Sequence, residues 1–547
     1  MSAVIALLLP LVLVGFILVS PVTRPLAVRV APWSALVLIW PWLDGSEVLL
    51  EWPLLGLRLG VDATTTPLLL LTVIAWTLAG WQAGDQITEN RRWFWSGWLA
   101  ALSGMSLLLL AGNLGSFYIG YAILSLSAYL LVTHARSNEA WRAGRIYLVM
   151  ALAGEAAILA GVLLLAGQLG NPGFDELLAA PQVLVDSPAR WLLMAGFAVK
   201  LGIIPLHLWL PLAHPVAPVP ASAILSGVIV KAGLLGWLRM VPALAVDPGV
   251  LGLVFVCIGL ATAFGGVLLG LGQRRIKTVL AYSTISQMGL LLVAFAVLFL
   301  VPDQRESILA MIGLMALHHG LNKASLFLAC GNQPGQSRLH LGLFALPAIS
   351  LAAAPLTTGY LVKNALKTNL DQAVTWPFIE VLIALTSMAT AVLMWKAFGL
   401  ARSMRGQVRI RAHPAWLLLV ATAVLAPWTL ALASDLLYPL TLQALTAAAW
   451  PLALAALVIW IHARLFNGWR LQLPEGDLVV LIEAMAHRRF RPVRTSPRRR
   501  TVYWRLPAPG PRLRGIERQQ RHLPIAGLMM LLAGALMWLL LWWPMAR

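Results

Sequence analysis

VKLGIIPLHLWLPLAHPVAPVPASAILSGVIVKAGLLGWLR, from Val199 to Arg239, is the segment around which the chain is organised. It predicts two apolar helices joined by a Pro-rich turn, and each helix carries one lysine, Lys200 or Lys231. A charged side chain costs about 2.5–3.5 kcal/mol at the centre of a membrane-spanning helix, so two lysines are retained only where specific groups receive them. Pro205 removes a backbone hydrogen bond close to Lys200 and predicts a broken helix. Transporters build ion sites from broken helices beside ionisable residues.

The composition of the chain is that of an integral membrane protein. Of its 547 residues, 60% are hydrophobic and 11% are charged. The predicted fold class is all-α, a polytopic membrane protein with about sixteen transmembrane helices. The apolar runs that predict them are 3–22, 27–43, 64–82, 93–112, 114–133, 144–167, 189–211, 220–242, 249–271, 278–300, 307–331, 341–364, 376–399, 413–434, 440–462 and 524–544.

The distribution of basic residues predicts the orientation of the chain. With the N-terminus outside, the inner segments hold 29 lysines and arginines and the outer loops hold five. We therefore expect both termini outside and a multi-pass location in a bacterial-type inner (plasma) membrane. The net charge of +19 results from this bias. It indicates membrane topology and contact with anionic lipids, and not nucleic-acid binding.

No cofactor or metal is expected in this chain. Its two cysteines, Cys257 and Cys330, both lie in predicted helices and cannot hold an iron–sulfur cluster. There is no Gly-rich dinucleotide fingerprint and no phosphate loop. If the protein belongs to a redox enzyme, the electrons travel through other subunits, and the sequence leaves open whether it is part of one.

The segment from His207 to Lys231 follows the pattern HxWLPxAHxxAPxPxSAxLSGxxxK. It resembles the signature of antiporter-like subunits, which occur in respiratory complex I, Mrp cation/proton antiporters, membrane-bound hydrogenases and DAB-type inorganic-carbon accumulating complexes. A second segment, QRRIKTVLAYSTISQMG (Gln273–Gly289), resembles that family's DxKRxLAYSSxSxxG turn, with Arg275 where an acid is common. The resemblance implies two inverted five-helix repeats, helices 4–8 and 9–13, with helix breaks at Pro205 and Pro355.

Five regions are expected along the chain: N-terminal helices in 1–92, the antiporter-like core in 93–400, two helices in 401–463, a basic cytoplasmic segment in 464–523 and a C-terminal helix in 524–547. Within the basic segment, Leu478, Ile482 and Met485 share one face of a predicted amphipathic helix. The segment is too short and too Pro-rich for the long lateral helix of complex I's largest antiporter-like subunit. This argues against a standard distal subunit of complex I.

The predicted proton path starts at Lys200. The glutamate that the family pairs with this lysine falls on Ala122, so the partner is absent from its usual place. Glu155 is the only carboxylate deep in helices 4–8, and we expect it to take that role. The alternative is a neutral, protonated Glu155 hydrogen-bonded to a neighbouring helix.

The rest of the predicted path runs through later helices. His319 and Lys323 are four residues apart and share a helix face, whereas His318 points about 100° away. A lone buried histidine is usually a satisfied core residue, but the lysine one turn away favours a proton relay. Lys363 is the expected terminal lysine near the external exit; its alternative is an interfacial lysine that snorkels to the headgroups, as expected for Lys396. The full predicted path is Glu155, Lys200, His207, Lys231, His319, Lys323 and Lys363.

Two classes of function remain open. The first is a proton-translocating, antiporter-like transport subunit of an Mrp-, hydrogenase- or DAB-like complex, or a stand-alone antiporter. The second is the pump subunit of an NADH:quinone oxidoreductase. The expected partners are other membrane subunits and H⁺ or Na⁺, and the lysine-rich path favours H⁺ because carboxylate and carbonyl oxygens suit Na⁺ better.

Overall fold

The computed structural model describes residues 1–51, 56–180, 187–241, 248–374, 376, 378–404, 411–434, 436–437, 441–465, 473–476, 479–480, 492–493 and 503–504. Within these ranges, twelve helical segments are long and apolar enough to cross a membrane. The predicted class, an all-α polytopic membrane protein, is confirmed. The count of sixteen helices stays a prediction.

The helices are numbered in chain order. They are α1 (Ser2–Val19), α2 (Arg24–Val30), α3 (Ile39–Asp44), α4 (Thr66–Gln86), α5 (Arg91–Leu110), α6 (Leu114–Val132), α7 (Asn138–Leu169), α8 (Phe174–Ala179), α9 (Ala189–Leu201), α10 (Trp209–Val216), α11 (Val219–Ile224), α12 (Lys231–Met240), α13 (Pro248–Leu271), α14 (Ile276–Leu300), α15 (Arg305–Cys330), α16 (Arg338–Leu351), α17 (Thr358–Ala373), α18 (Ile379–Ser403), α19 (Pro414–Ala433) and α20 (Leu442–Leu465). A 3₁₀ segment, Ala31–Leu38, links α2 to α3, and a π-helical turn, Leu225–Ile229, links α11 to α12.

The strands are short and few among the described residues. β1 (Val48–Leu50) and β2 (Leu57–Leu59) pair antiparallel, with Leu49 opposite Arg58. A separate compact unit holds β3 (Pro492–Val493) and β4 (Tyr503–Trp504), which also pair antiparallel. These strands leave the helical class unchanged.

Two of the predicted spanning runs are interrupted. Run 189–211 is divided between α9 and α10, and run 341–364 between α16 and α17. Pro205 lies in the first interruption and Pro355 in the second. Run 307–331, in contrast, is the continuous helix α15. The structure therefore has a broken helix in each half of the core, while the inverted symmetry of the two halves stays a prediction.

Small residues let the helices of the core approach closely. An added Cβ on Gly104 of α5 would lie 2.4 Å from the backbone nitrogen of Leu124 in α6. On Gly259 of α13 it would lie 2.7 Å from the carbonyl oxygen of Gly289 in α14. Glycine at these crossings lets the two backbones come into contact. In a membrane, where the hydrophobic effect does not drive helices together, this close van der Waals packing stabilises their association.

Several predictions fall outside the described residues. The C-terminal helix 524–547 lies wholly outside them, as does the face formed by Leu478, Ile482 and Met485. Most of the basic segment 464–523 is likewise outside, and the five-part division of the chain remains a prediction.

Candidate functional site

Lys200 lies at the end of α9 and is buried, with 4% of its surface exposed. Its ammonium donates to the hydroxyl of Ser125 at 2.5 Å and, more weakly, to that of Tyr147 at 3.4 Å. The nitrogen also lies 5.5 Å from the ring centroid of Tyr121 and 5.7 Å from that of Tyr147. Two hydroxyls and two aromatic rings thus replace part of the water that a charged lysine loses on burial.

Glu155, on α7, shares this site with Lys200. α7 and α9 cross at two glycines: an added Cβ on Gly196 would lie 2.7 Å from the Gly154 carbonyl oxygen. The Glu155 carboxyl interacts with the Ser125 hydroxyl and electrostatically with Lys200, while its Oε1 has no hydrogen-bond partner within the described part of the chain. Ser125 therefore interacts with both Glu155 and Lys200. The sequence patterns did not predict a role for Ser125.

The break after Lys200 is held by its own hydrogen bonds. α9 ends at Leu201, and Gly202 follows in the left-handed region with φ of 73°. The carbonyl oxygen of Val199, in the last turn of α9, accepts from the Gly202 amide at 3.2 Å and from the indole nitrogen of Trp209 at 2.8 Å. His207 lies within the break, fully buried, with its ring centroid 6.2 Å from that of Tyr282 in α14. The break thus places a buried histidine between α9 and α14.

Lys231 is fully buried and follows the π-helical turn. Its ammonium donates to the carbonyl oxygens of Ser226, at 3.2 Å, and Gly227, at 2.5 Å, both within that turn. Its third contact is Nδ1 of His319, at 2.7 Å. A π turn leaves carbonyls outside the regular helical ladder, and such turns occur often at functional sites. The turn therefore supplies the oxygen ligands that a buried lysine needs.

Lys323, also fully buried, lies one turn after His319 on α15. Its ammonium donates to the carbonyl oxygen of Leu280 at 3.0 Å. The same oxygen accepts from the Thr284 hydroxyl at 3.1 Å, and that hydroxyl lies 2.6 Å from the hydroxyl of Ser226. A chain of polar groups thus runs from Lys323 to the π turn that binds Lys231. Thr284 was not predicted from the sequence as a site residue. The cluster of serines and threonines near the start of α14 could have indicated it.

His318 is a second residue that the sequence reasoning set aside. Its Nδ1 lies 2.8 Å from the hydroxyl of Thr358, the first residue of α17. It also lines a small cavity together with Gln287, His319 and Lys363. His318 therefore contacts α17, whereas the adjacent His319 contacts Lys231.

Lys363 lies on α17, just after the second helix break, with 7% of its surface exposed. Its ammonium contacts the Thr386 hydroxyl and lies 3.5 Å from the carbonyl oxygen of Ile383. A polar row continues along α18, where Thr390 donates to the Thr386 carbonyl at 2.8 Å and accepts from Gln287 at 3.4 Å. The side chain is held by specific groups inside the protein.

Arg275, at the position where the family's turn often has an acid, binds two acids of this chain. Its guanidinium contacts Glu139 at the start of α7, and its Nε lies 3.3 Å from Glu475. Glu475 also accepts from the Thr278 hydroxyl at 3.1 Å, and the nearby Leu473 amide donates to the Gly272 carbonyl at 3.1 Å. Burial raises the pKa of the Glu475 carboxyl, while Arg275 acts to lower it. These contacts tie the segment Leu473–Gly476 to the start of α14.

All seven predicted residues are buried in the helical core. Glu155 interacts with Lys200, and Lys231 contacts His319. Lys323 is joined through Leu280 and Thr284 to the π turn that precedes Lys231. Lys363 and His318 line the same cavity. Lysines and histidines held by carbonyl and hydroxyl oxygens can accept and release protons, and broken helices at such groups define an ion-transport subunit.

The chain belongs to the NADH:quinone oxidoreductase/Mrp antiporter transmembrane family, whose sequence model matches residues 111–390. Hydrogenase-4 component B of Escherichia coli (strain K12) is 34% identical over 241 residues, which are 42% of this chain and 36% of that protein. NADH-quinone oxidoreductase subunit N of Desulforudis audaxviator (strain MP104C) is 27% identical over 397 residues, 68% of this chain and 75% of that protein. The alignment thus spans about a third of the first relative and three quarters of the second.

The fold is similar to that of a chain in the membrane-bound sulfane sulfur reductase, an archaeal respiratory membrane complex. The TM-score is 0.69 at 20% sequence identity, over 84% of this chain and 99% of that chain. At this level of identity the likeness concerns the fold.

Proposed function

We propose that this chain is a proton-translocating, antiporter-like subunit of a multisubunit membrane complex. Protons move along Glu155, Lys200, His207, Lys231, His319, Lys323 and Lys363. The observation that carries the proposal is the 2.7 Å contact between Lys231 and Nδ1 of His319. It brings a histidine, whose ring nitrogens can both accept and donate a proton, into direct contact with a fully buried lysine.

The first step of the path joins the acid and the lysine. Glu155 takes the place of the family's glutamate, whose position here is Ala122. Ser125 couples the two groups, since it accepts from the Lys200 ammonium and interacts with the Glu155 carboxyl. Moving the acid back, as Glu155→Gln with Ala122→Glu, is expected to restore part of the flux that Glu155→Gln removes.

Protons are the transported ion in this proposal, and Na⁺ is the competing one. The Ser125 hydroxyl and the carbonyl oxygens of Ser226 and Leu280 each bind a lysine of the path, whose charge repels a metal cation. The test is proton flux in proteoliposomes that contain the whole complex, measured with and without Na⁺. Flux that persists without Na⁺ supports proton transport; flux that requires Na⁺ supports an Na⁺/H⁺ antiporter.

The energy source comes from partner subunits. The similarity to NADH-quinone oxidoreductase subunit N favours, as the second candidate, the pump subunit of a quinone-reducing complex; a DAB-type inorganic-carbon uptake complex is a further alternative. Neighbouring genes discriminate among these: flavin or iron–sulfur subunits favour the redox complex, small Mrp subunits favour the antiporter, and a zinc-binding cytoplasmic partner favours the DAB-type complex.

The proposed location is a bacterial-type inner membrane, with both termini outside and 93–400 as the conducting core. The support is the number of lysines and arginines, which is 29 in the inner segments and five in the outer loops. In a background without Cys257 and Cys330, single cysteines at Ser496 and Gly45 test it. Labelling of Gly45→Cys alone by an impermeant reagent in intact cells is expected; labelling of Ser496→Cys would overturn the orientation.

A further inference from the structure

We propose that the ion pair between Lys367 and Glu380 is the outlet of the path, the last proton carrier between Lys363 and the membrane surface. The inference rests on the proposed function and extends it by two residues that the sequence patterns did not assign to the path. It starts from the position of Lys367, one helical turn after Lys363 on α17, so that both lysines lie on one face.

A single cavity connects the two lysines. Its lining includes Lys363, Asn364 and Lys367 from α17, Ser387 from α18 and Pro451 from α20. The side-chain nitrogen of Asn364 is buried and has no hydrogen-bond partner among the described protein groups. An unpaired buried amide costs about 1–3 kcal/mol, and water in a polar cavity is the usual way to satisfy it. The cavity is therefore suited to hold the water that carries protons between the lysines.

Exposure increases step by step along this route. Lys363 is 7% exposed. The side chain of Lys367 is 23% exposed and that of Glu380 is 49% exposed, with Nζ and Oε2 3.0 Å apart. Glu380 lies in the first turn of α18, which also carries the Thr386 hydroxyl that contacts Lys363. Two helices thus lead from a buried lysine to an exposed carboxylate.

The proton steps balance without any further reactant. The Lys367 ammonium releases a proton to water at the membrane surface, while the Glu380 carboxylate stays ionised, holds Lys367 in place and attracts the next proton to it. The neutral Lys367 amine then takes a proton from the Lys363 ammonium through cavity water. Lys363 becomes neutral and is reprotonated from the inner part of the path.

A surface ion pair by itself contributes only about 0–1 kcal/mol to stability. Replacing Glu380 should therefore leave the protein folded, so that a loss of flux reports on transport. Arg58 and Glu176 provide a matched control: their charged atoms are 3.5 Å apart, and their side chains are 41% and 61% exposed. Neither residue lines the cavity that holds Lys363.

The first test is proton flux in proteoliposomes with the intact complex. Glu380→Gln is expected to lower flux about 100-fold, the lower end for a positioned acid–base group. Glu380→Asp is expected to keep most of it, and Glu176→Gln all of it. If Glu380→Gln keeps full flux while Lys323→Ala abolishes it, the outlet is wrong and the proposed function stands. If the wild type carries no protons, the proposed function fails and the outlet with it.

The second test reads the water path directly. In a background without the native cysteines, a small water-soluble thiol reagent is expected to label Ser387→Cys from one side of the membrane. Leu393→Cys, fully buried on the same helix and away from the cavity, is expected to stay unlabelled. A Ser387→Cys protein that resists the reagent from both sides would overturn the outlet, whatever the flux.

Discussion

The crossing of the π turn with α15 offers a sharp perturbation of the Lys231–His319 contact. An added Cβ on Gly227 would lie 2.9 Å from the carbonyl oxygen of Gly320 and 3.3 Å from the Ala324 Cβ, whereas ordinary contact begins at 3.4 Å. Gly227→Ala must therefore move the two helices apart by about 0.5 Å (3.4 minus 2.9). Overpacking of this kind costs typically about 1–3 kcal/mol.

The same movement acts on the relay. If it is fully transmitted, the distance from the Lys231 ammonium to Nδ1 of His319 grows from 2.7 Å to about 3.2 Å, the upper limit of a good hydrogen bond. We expect Gly227→Ala to lower proton flux in proteoliposomes and to lower the thermal unfolding midpoint of the purified complex.

The control for this experiment is Gly399→Ala on α18. A Cβ at Gly399 meets no atom of the described residues within 4 Å, so this variant should match the wild type in flux and should unfold at the same temperature or a slightly higher one, because alanine stabilises a helix interior relative to glycine. Full flux in Gly227→Ala, with a normal unfolding midpoint, would refute the reasoning, because it would mean that the crossing does not set the Lys231–His319 distance. Comparing the amount of complex in the membrane separates lost transport from lost protein.

Three further outcomes are expected. Glu155→Gln should lose nearly as much flux as Lys200→Ala, with the double variant no worse than either, because the two groups act as one unit; additive losses would argue against the unit. His318→Leu should slow flux while leaving the amount of complex unchanged, because it lines the cavity that leads to Lys363; unchanged flux would remove it from the path. Burial raises the pKa of the Glu475 carboxyl, so the ionised carboxylate destabilises the packing of Leu473–Gly476 against the start of α14 at a pH above that pKa. This destabilisation is lost as the pH falls to the ordinary pKa range of a glutamate and the carboxyl becomes protonated. Hydrogen exchange at the docked Leu473 amide, corrected for intrinsic rate, should therefore be slower at acidic than at alkaline pH, and Glu475→Gln should abolish the difference.

Much of the fold was predictable because its determinants are local. Apolar runs of the length of a bilayer predict helices, and a proline beside a lysine in such a run predicts a break, as at Pro205. The two-helix form of runs 189–211 and 341–364 follows from the same chemistry. The cost of a charge in lipid singled out Lys200 and Lys231 before any contact was known.

The partners of these lysines were not predictable, because they come from distant parts of the chain. Lys231 and His319 are 88 residues apart in sequence, and Lys200 and Ser125 are 75 apart. No periodicity in one helix says which face of another it meets. The π turn before Lys231 was also missed, since its sequence reads as ordinary helix and only the backbone shows where carbonyls leave the ladder.

The central claim is that protons cross the membrane by way of buried lysines. The measurement that tests it most directly is proton flux through the intact complex with Lys323→Ala, at matched amounts of protein in the liposomes. Lys396→Ala is the matched control, because Lys396 is a partly exposed lysine late in α18 and lies outside the path. We expect Lys323→Ala to abolish the flux and Lys396→Ala to retain it. Wild-type flux in Lys323→Ala would show that protons do not cross by way of the buried lysines.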